Sequence, residues 1–281
     1  MTDTTTTETI RAEALTHPGL DGPDTVQVTD ERLSKLRIFN VVMGFFHLAS
    51  GLAMGIAGND FELDISTLNL NGPPGTPLSD GTVETVIGIP LAWATASFLL
   101  LSALFHFVIA TVGFSKYSNE LRHGRNRFRW VEYALSSSLM IVLISLVTGI
   151  TDLAALIAIA VVNVSMILFG WIMEAVNRPD GSPWWTPFWM GCIAGIGPWA
   201  AIAAYLVVNV NQTGAEGPPT FVYGIIVSLF VFFNCFAINQ WLQYRKVGKW
   251  SDYVFGESVY IVLSLVAKSV LAWQIFANTL I

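Results

Sequence analysis

Residues 260–273 read YIVLSLVAKSVLAW, an apolar stretch that is interrupted by a single charge, Lys268. A helix that crosses a membrane needs about 20 apolar residues, and the stretch extends over residues 257–280. Lys268 then lies about 16 Å along the helix, too deep for its side chain to reach the membrane surface. An ammonium at this depth costs roughly 2.5–3.5 kcal/mol unless a partner compensates it, so Lys268 marks a candidate functional site.

The rest of the chain has the composition of a membrane protein. Of its 281 residues, 53% are hydrophobic and 12% are charged, about half the charged fraction of a soluble domain. The net charge of −6 gives no reason to expect a nucleic-acid partner. Long continuous apolar runs favour helices over barrel strands. They predict an all-α bundle with seven transmembrane helices at about 38–58, 85–112, 129–150, 153–175, 187–209, 220–243 and 257–280.

The basic residues predict how the bundle is oriented in the cell membrane. All except Lys268 fall in the N-terminal region or in connections on one side of the bundle, namely Arg11, Arg32, Lys35, Arg37, Lys116, Arg122, Arg125, Arg127, Arg129, Arg178, Arg245, Lys246 and Lys249. Loops rich in Lys and Arg stay in the cytoplasm. The N-terminus is therefore predicted to be cytoplasmic and the C-terminus extracellular.

Two regions outside the spans carry their own predictions. Residues 1–37 are interpreted as a flexible polar cytoplasmic tail, and residues 38–281 as the membrane domain. In the first outer connection, FELDISTL at 61–68 alternates apolar and polar residues, which predicts a short β-hairpin over the outer face. The brief connection at 149–152 makes the third and fourth helices antiparallel neighbours.

Lys268 needs a partner inside the bundle. Glu132 is the acidic residue that lies within a span, whereas Glu174 is close to an inner helix end, where it can face water. Ser264 lies one turn from Lys268 on the same helix face. A lysine that only forms a structural salt bridge remains possible. Alternatively, a desolvated lysine amine is suited to condense with an aldehyde and form a Schiff base.

Other polar and aromatic side chains converge near this depth. His47 and His106 lie in the inner halves of the first two spans. Two helix faces and one residue beyond Lys268 predict a pocket for a long apolar ligand: Asn163, Met166, Ile167 and Gly170 on the fourth span, Phe230, Phe233, Asn234 and Gln240 on the sixth, and Trp273. Ordinary packing and interhelical hydrogen bonds are the alternative explanation of these faces.

Several motifs in order resemble those of the heliorhodopsins, a family of retinal-binding seven-helix proteins. They are LNGPPG at 70–75, SALFHF at 102–107, FRWVEYALSSS at 128–138, VNVSMILFGW at 162–171, GCIAGI at 191–196 and SLVAKS at 264–269. The resemblance covers about 38–281. The cytoplasmic N-terminus of that family also matches the orientation predicted from the charges.

The resemblance implies a role for each candidate residue. Lys268 would bind all-trans retinal covalently as a protonated Schiff base, with Glu132 as its counterion and Ser264 beside it. His47 and His106 would belong to a cytoplasmic-side cavity that accepts the released proton. The residues implied to line or neighbour the retinal pocket are Ser136, Asn163, Met166, Ile167, Gly170, Phe230, Phe233, Asn234, Gln240 and Trp273. The family also implies a homodimer, with the first outer loop covering the extracellular face.

The predicted function is light sensing and signalling to an unidentified cytoplasmic partner, without enzymatic activity. A proton pump needs polar groups in both halves of the bundle, yet the outer part of the third span reads MIVLISL at 140–146. The alternative is a light-driven or gated ion transporter that uses the same lysine–glutamate pair. A solute transporter could also use this pair, but the sequence shows no evident discontinuous helices in paired halves. An intramembrane metallohydrolase could take His47, His106 and Glu132 as metal ligands, but the sequence contains no HExxH-type spacing.

Overall fold

The computed structural model describes residues 25–179, 181–211 and 218–280. Within these ranges, seven helices are long and apolar enough to cross a membrane, which confirms the predicted bundle. A short eighth helix, α3, lies between the second and third spans. The helices are α1 (Asp30–Ala57), α2 (Leu91–Ala110), α3 (Phe114–Arg122), α4 (Arg127–Val147), α5 (Leu153–Val176), α6 (Thr186–Asn211), α7 (Thr220–Tyr244) and α8 (Tyr253–Ile275).

Two helix starts differ from their predicted positions. Helix α1 begins at Asp30, where the Thr29 hydroxyl accepts a hydrogen bond from the Arg32 amide. Residues 30–37 are therefore helical and do not belong to a tail, and residues 1–24 of the predicted tail lie outside the described residues. Helix α2 begins at Leu91 rather than near residue 85, because the preceding residues form a strand.

The predicted hairpin is present in the first connection. Strands β1 (Glu62–Asn69) and β2 (Thr82–Pro90) pair antiparallel, with a register shift between Ile65 and Ser66. At this shift the Ser66 amide donates to the Thr151 carbonyl at 2.9 Å, and the two hydroxyls are also 2.9 Å apart. The hairpin is thus attached to the turn between α4 and α5.

Capping residues define where the helices around the site begin. Asn126, Asp152 and Asp252 each accept a backbone N–H from the first turn, at the starts of α4, α5 and α8. Such caps satisfy donors that would otherwise be unpaired at a helix start. Gly149 has a φ of 95° in the turn between α4 and α5. This left-handed conformation favours glycine and permits the tight antiparallel connection.

The bundle has two different ends, which we name by their residues. The basic end carries Arg37, Lys116 and Lys249, and the hairpin end carries β1 and β2. A large apolar core fills the hairpin half, where Phe98, Leu99, Ile141, Ile144 and Leu271 are buried against one another. At the basic end, a smaller core packs α3 against α1, α2 and α8. The polar side chains described below lie between these two cores.

Candidate functional site

Lys268 is buried in a compact polar group formed by three helices. Its side chain is 4% exposed, and its Nζ donates to Glu132 Oε1 of α4 at 2.9 Å. One turn before it on α8, Ser264 Oγ accepts a second hydrogen bond at 2.7 Å. Ser102 of α2 donates to the same Glu132 oxygen at 2.6 Å. The buried ammonium and carboxylate therefore compensate each other, and hydroxyl groups complete their hydrogen bonding.

A cavity of about 460 Å³ lies beside this group, among helices α4 to α8. Lys268 and Ser264 form part of its wall, and most of the remaining wall is apolar. Cavities of this size hold small organic ligands. Ser136 also lines the cavity, and its buried hydroxyl has no hydrogen-bond partner among the described residues. The buried Tyr260 hydroxyl in the same wall likewise has no partner among the described residues, so the wall combines an amine, two unpaired hydroxyls and a large apolar surface.

Most of the pocket residues expected from the sequence line this cavity: Ser136, Met166, Ile167, Gly170, Phe230, Phe233, Asn234 and Gln240. Gln240 Nε2 donates to the Gly170 carbonyl at 3.0 Å and so links α7 to α5. Asn163 lies behind the wall, where its amide donates to the hydroxyls of Ser137 and Ser138 at 2.8 and 3.0 Å.

The expectation for Trp273 is wrong. This side chain is 46% exposed, packs against Phe276 and does not line the cavity. It follows Lys268 by five residues, which places it about 140° away around the helix. Trp273 is close to Lys268 along the helix axis, but it lies on a different face of the helix from the cavity.

Helix α6, Met140 and the aromatic residues of α4 and α8 are the parts of the wall that sequence reasoning missed. They supply Trp130, Tyr133, Met140, Phe188, Gly191, Cys192, Gly195, Ile196, Trp199, Ala200 and Tyr260, with Phe236 from α7. The signal for α6 was the pair Gly191 and Gly195, one turn apart. A Cβ at Gly195 would lie 2.8 Å from Met166 Sδ, so the glycine lets two helices approach closely.

A second, smaller cavity of about 30 Å³ lies on the basic-end side of Glu132. Its volume corresponds to about one water molecule. His106, Asn40, Ser102, Glu132 and Ser264 form part of its wall. His106 also stacks on His47, with ring centroids 5.5 Å apart, so the structure brings both predicted histidines together near the ion pair.

The sequence of this site and its surroundings matches a known family. The family model for heliorhodopsins matches residues 36–280. The chain belongs to the heliorhodopsin family. Membership of this family implies a retinal chromophore. No curated protein matches the sequence significantly.

Solved rhodopsin structures share the fold of this heliorhodopsin-family chain at low identity. A light-driven proton pump from Leptosphaeria maculans is 18% identical, with a TM-score of 0.59 and coverage of 91% of this chain and 98% of the pump. The transmembrane domain of a rhodopsin phosphodiesterase from Salpingoeca rosetta is 12% identical, with a TM-score of 0.60 and coverage of 89% and 84%. Cyanorhodopsin from a Tolypothrix species is 12% identical, with a TM-score of 0.54 and coverage of 90% and 96%.

The basic end contains a second buried charge cluster, which corrects two expectations from the sequence. Glu174 does not face water, and Arg129 does not lie in a loop. The Arg129 guanidinium binds Glu174 Oε1 at 2.5 Å and also pairs with Glu257, and all three side chains are at most 4% exposed. Asn126 Nδ2 donates to Glu257 at 2.6 Å. Arg129 and Glu174 lie near helix ends, which suggested exposure to water, but the short helix α3 and the start of α8 cover them.

Helix α3 contributes Tyr117 to this cluster from outside the membrane-spanning helices. The Tyr117 hydroxyl donates to Glu257 Oε1 at 3.4 Å. Burial raises the pKa of Tyr117 well above its usual range, and the negative charge of Glu257 acts in the same direction. The hydroxyl therefore keeps its proton and remains a donor to the carboxylate.

Proposed function

We propose that the protein is a light sensor that binds all-trans retinal covalently through Lys268 as a protonated Schiff base. The observation that carries this proposal is the placement of the Lys268 amine in the wall of the 460 Å³ apolar cavity, 2.9 Å from one carboxylate. When bound, retinal supplies absorption of visible light and a light-driven isomerisation. The unpaired Ser136 hydroxyl and the close approaches at Gly170 and Gly195 fit a cavity built around a ligand.

Glu132 serves as the counterion in this proposal. Its carboxylate offsets the positive charge at the Lys268 nitrogen, which favours the protonated form of that nitrogen. Ser102 holds the carboxylate in place by donating to the oxygen that faces Lys268. Ser264 supplies an acceptor oxygen on the basic-end side of the nitrogen.

His47 and His106 receive the proton that leaves the Lys268 nitrogen in the light. They lie in the basic-end half of the bundle, and His106 borders the small cavity together with Glu132 and Ser264. Histidine is suited to this role because its charge changes under mild conditions. His106 lies in the wall of the cavity that a proton leaving the ion pair on this side would enter.

We propose signalling and not ion pumping as the output. In the hairpin half of the described helices, the polar side chains near α4 are hydroxyls such as Ser145 and Thr148, which donate to nearby backbone carbonyls. A pump needs groups that pass protons through both halves, and no carboxylate continues the path from Glu132 there. A sustained light-driven pH change in a cell suspension would favour the alternative, a light-driven or gated ion transporter.

The proposal includes the setting of the protein in the cell. The basic end faces the cytoplasm, because loops rich in Lys and Arg remain on that side. The protein is a homodimer in the cell membrane and acts on a cytoplasmic signalling partner without enzymatic activity of its own. His47, His106 and Glu132 form no metal site of three ligands in the part of the chain that the structure describes.

The direct test is a visible absorption spectrum of the purified protein after addition of all-trans retinal. We expect a visible band that hydroxylamine bleaches under illumination, because hydroxylamine attacks the covalent linkage to the lysine. A colourless protein, or a band that hydroxylamine leaves unchanged, would contradict the proposed function.

A further inference from the structure

Asn40 of α1 holds His106 in a defined orientation. Asn40 is 1% exposed, and its Nδ2 donates to the Leu36 carbonyl at 2.8 Å. A carbonyl oxygen only accepts hydrogen bonds, so the NH₂ group of the amide must point towards Leu36. Asn40 Oδ1 consequently points the other way, where it lies 2.8 Å from His106 Nδ1.

This hydrogen bond determines which nitrogen of His106 carries the proton. Asn40 Oδ1 is an acceptor, so His106 Nδ1 must be the donor. A neutral imidazole has one N–H, and its other nitrogen, Nε2, is then left with a free lone pair. We propose that Asn40 is a positioning residue that fixes neutral His106 as the Nδ1–H tautomer and so makes Nε2 the proton-accepting atom of the site.

The contrast with His47 supports this assignment. His47 is fully buried, and neither of its ring nitrogens has a hydrogen-bond partner among the described residues. Nothing in its surroundings selects a tautomer or stabilises a charged ring. Since the two rings stack at 5.5 Å, two positive charges would repel each other strongly. One proton is therefore accepted, and His106 is the ring prepared for it.

Charged groups of both signs surround His106. The charged and titratable groups that act on it are Glu132 of α4, Lys268 of α8 and His47 of α1, while Arg129 and Glu257 border the same small cavity. The Asn40 hydrogen bond persists after Nε2 gains a proton, because Nδ1 remains a donor. Hydrogen bonds from a charged donor are stronger, so Asn40 stabilises the imidazolium as well as the tautomer.

The tautomer can be measured in the dark by solid-state NMR of the full chain with ¹⁵N-labelled histidine. We expect the His106 ring to show a protonated Nδ1 and an unprotonated Nε2, its signals being assigned by their loss in His106→Phe. Asn40→Leu removes the acceptor and should give a mixture of tautomers. Asn40→Asp keeps an acceptor oxygen and should keep Nδ1 protonated. A wild-type His106 with the proton on Nε2, or an unchanged signal in Asn40→Leu, would overturn the proposal.

A second readout is the rate of light-induced His106 protonation, followed by time-resolved infrared spectroscopy of the retinal-loaded protein. Asn40→Leu should slow it about tenfold, which corresponds to the loss of one hydrogen bond. Asn278→Leu is the matched control, since Asn278 donates to the Gln274 carbonyl in the same local pattern but lies at the hairpin end. An unchanged rate in Asn40→Leu would contradict the role of Asn40.

This inference rests on the proposed function, but the two fail separately. The tautomer is recorded without light, so it tests the role of Asn40 whether or not retinal binds. A colourless protein would remove the proposed function and leave the NMR result to stand alone. A coloured protein with mixed His106 tautomers would remove only the role of Asn40.

Discussion

At the residue scale, the ion pair between Lys268 and Glu132 sets the electrostatics of the large cavity. Each of these side chains would be unstable in the membrane interior without the other. Ser102 and Ser264 add hydrogen bonds that fix the geometry of the pair. Retinal bound at Lys268 would therefore experience one nearby negative charge in a defined direction.

Glu132→Gln tests this charge. Removing it should shift the visible absorption of the retinal-loaded protein to longer wavelength at neutral pH, because the carboxylate stabilises positive charge at the lysine nitrogen in the dark. Glu84→Gln, an exposed change on β2, is the control and should leave the spectrum unchanged. An unaltered spectrum in Glu132→Gln would exclude Glu132 as the counterion.

Gly170 provides a test of the cavity wall. A Cβ at this position would lie 2.5 Å from Trp130 Cζ3, and Trp130 is held by its hydrogen bond to Glu174. Gly170→Ala should therefore displace Trp130, destabilise the protein by about 1–3 kcal/mol and lower its retinal loading. In Gly224→Ala, the new Cβ meets only Gln274 Nε2, at 3.7 Å. Equal stability and loading in the two variants would show that the close contact at Gly170 is unimportant.

Single residues of the site could be predicted where a charged residue interrupts an apolar run. Lys268 and Glu132 are charges inside apolar runs, so membrane physics alone marks them. Ser136 was found only through the family motifs, because a serine in a membrane helix is ordinary. Asn40 was missed since its role depends on a contact with α2 that sequence spacing does not reveal.

At the element scale, the starts of α4 and α8 meet the end of α5 around Arg129. One guanidinium lies between two carboxylates, and it also stacks over the rings of Tyr260 and Trp130 at 4.1 and 4.8 Å. These contacts tie three helices together at the basic end. Helix α3 covers the cluster through Tyr117, so the cluster is shielded from solvent at the basic end.

Arg129→Gln tests the contribution of this cluster to stability. Without the guanidinium, Glu174 and Glu257 are two buried carboxylates with no cation, which should cost about 3–5 kcal/mol of unfolding free energy. Denaturant or thermal unfolding in detergent measures the change. Lys35→Gln removes an exposed pair with Glu31 within α1 and should have little effect. A stable Arg129→Gln protein would show that the cluster does not hold the helices together.

The spans could be predicted from the length of the apolar runs. The exact starts of helices were harder to predict, because they depend on the local residues. Seven apolar runs gave the seven spans, and alternation over 61–68 located β1. The start of α2 was placed too early because Val83, Val86 and Ile87 are apolar but belong to β2. The wall contributed by α6 was missed because its glycines and aromatic residues also fit ordinary helix packing.

At the scale of the whole molecule, the distribution of basic residues predicts one orientation in the membrane. The basic end is expected in the cytoplasm and the hairpin outside. In a variant with Cys192 and Cys235 replaced by serine, a cysteine at Ser79 in the hairpin should react with an impermeant reagent on intact cells. A cysteine at Ser251 should react only after the cells are opened. The reverse labelling pattern would contradict the proposed orientation.

The family and the bundle could be predicted from the sequence, because ordered motifs and apolar runs are properties of the chain itself. The second charge cluster could not, since Arg129 and Glu174 are 45 residues apart and each lies near a predicted helix end. Their burial results from how α3, α5 and α8 pack together. Long-range contacts of this kind determine which charged side chains are buried.

The central claim is that retinal is bound at Lys268. The most direct measurement is mass spectrometry of peptides from the retinal-loaded protein after the linkage has been reduced with borohydride. The peptide containing Lys268 should carry the mass of reduced retinal. Lys268→Ala should bind none covalently, while Lys116→Ala should bind it like the wild type. Retinal attached to another lysine, or retained covalently by Lys268→Ala, would contradict the account.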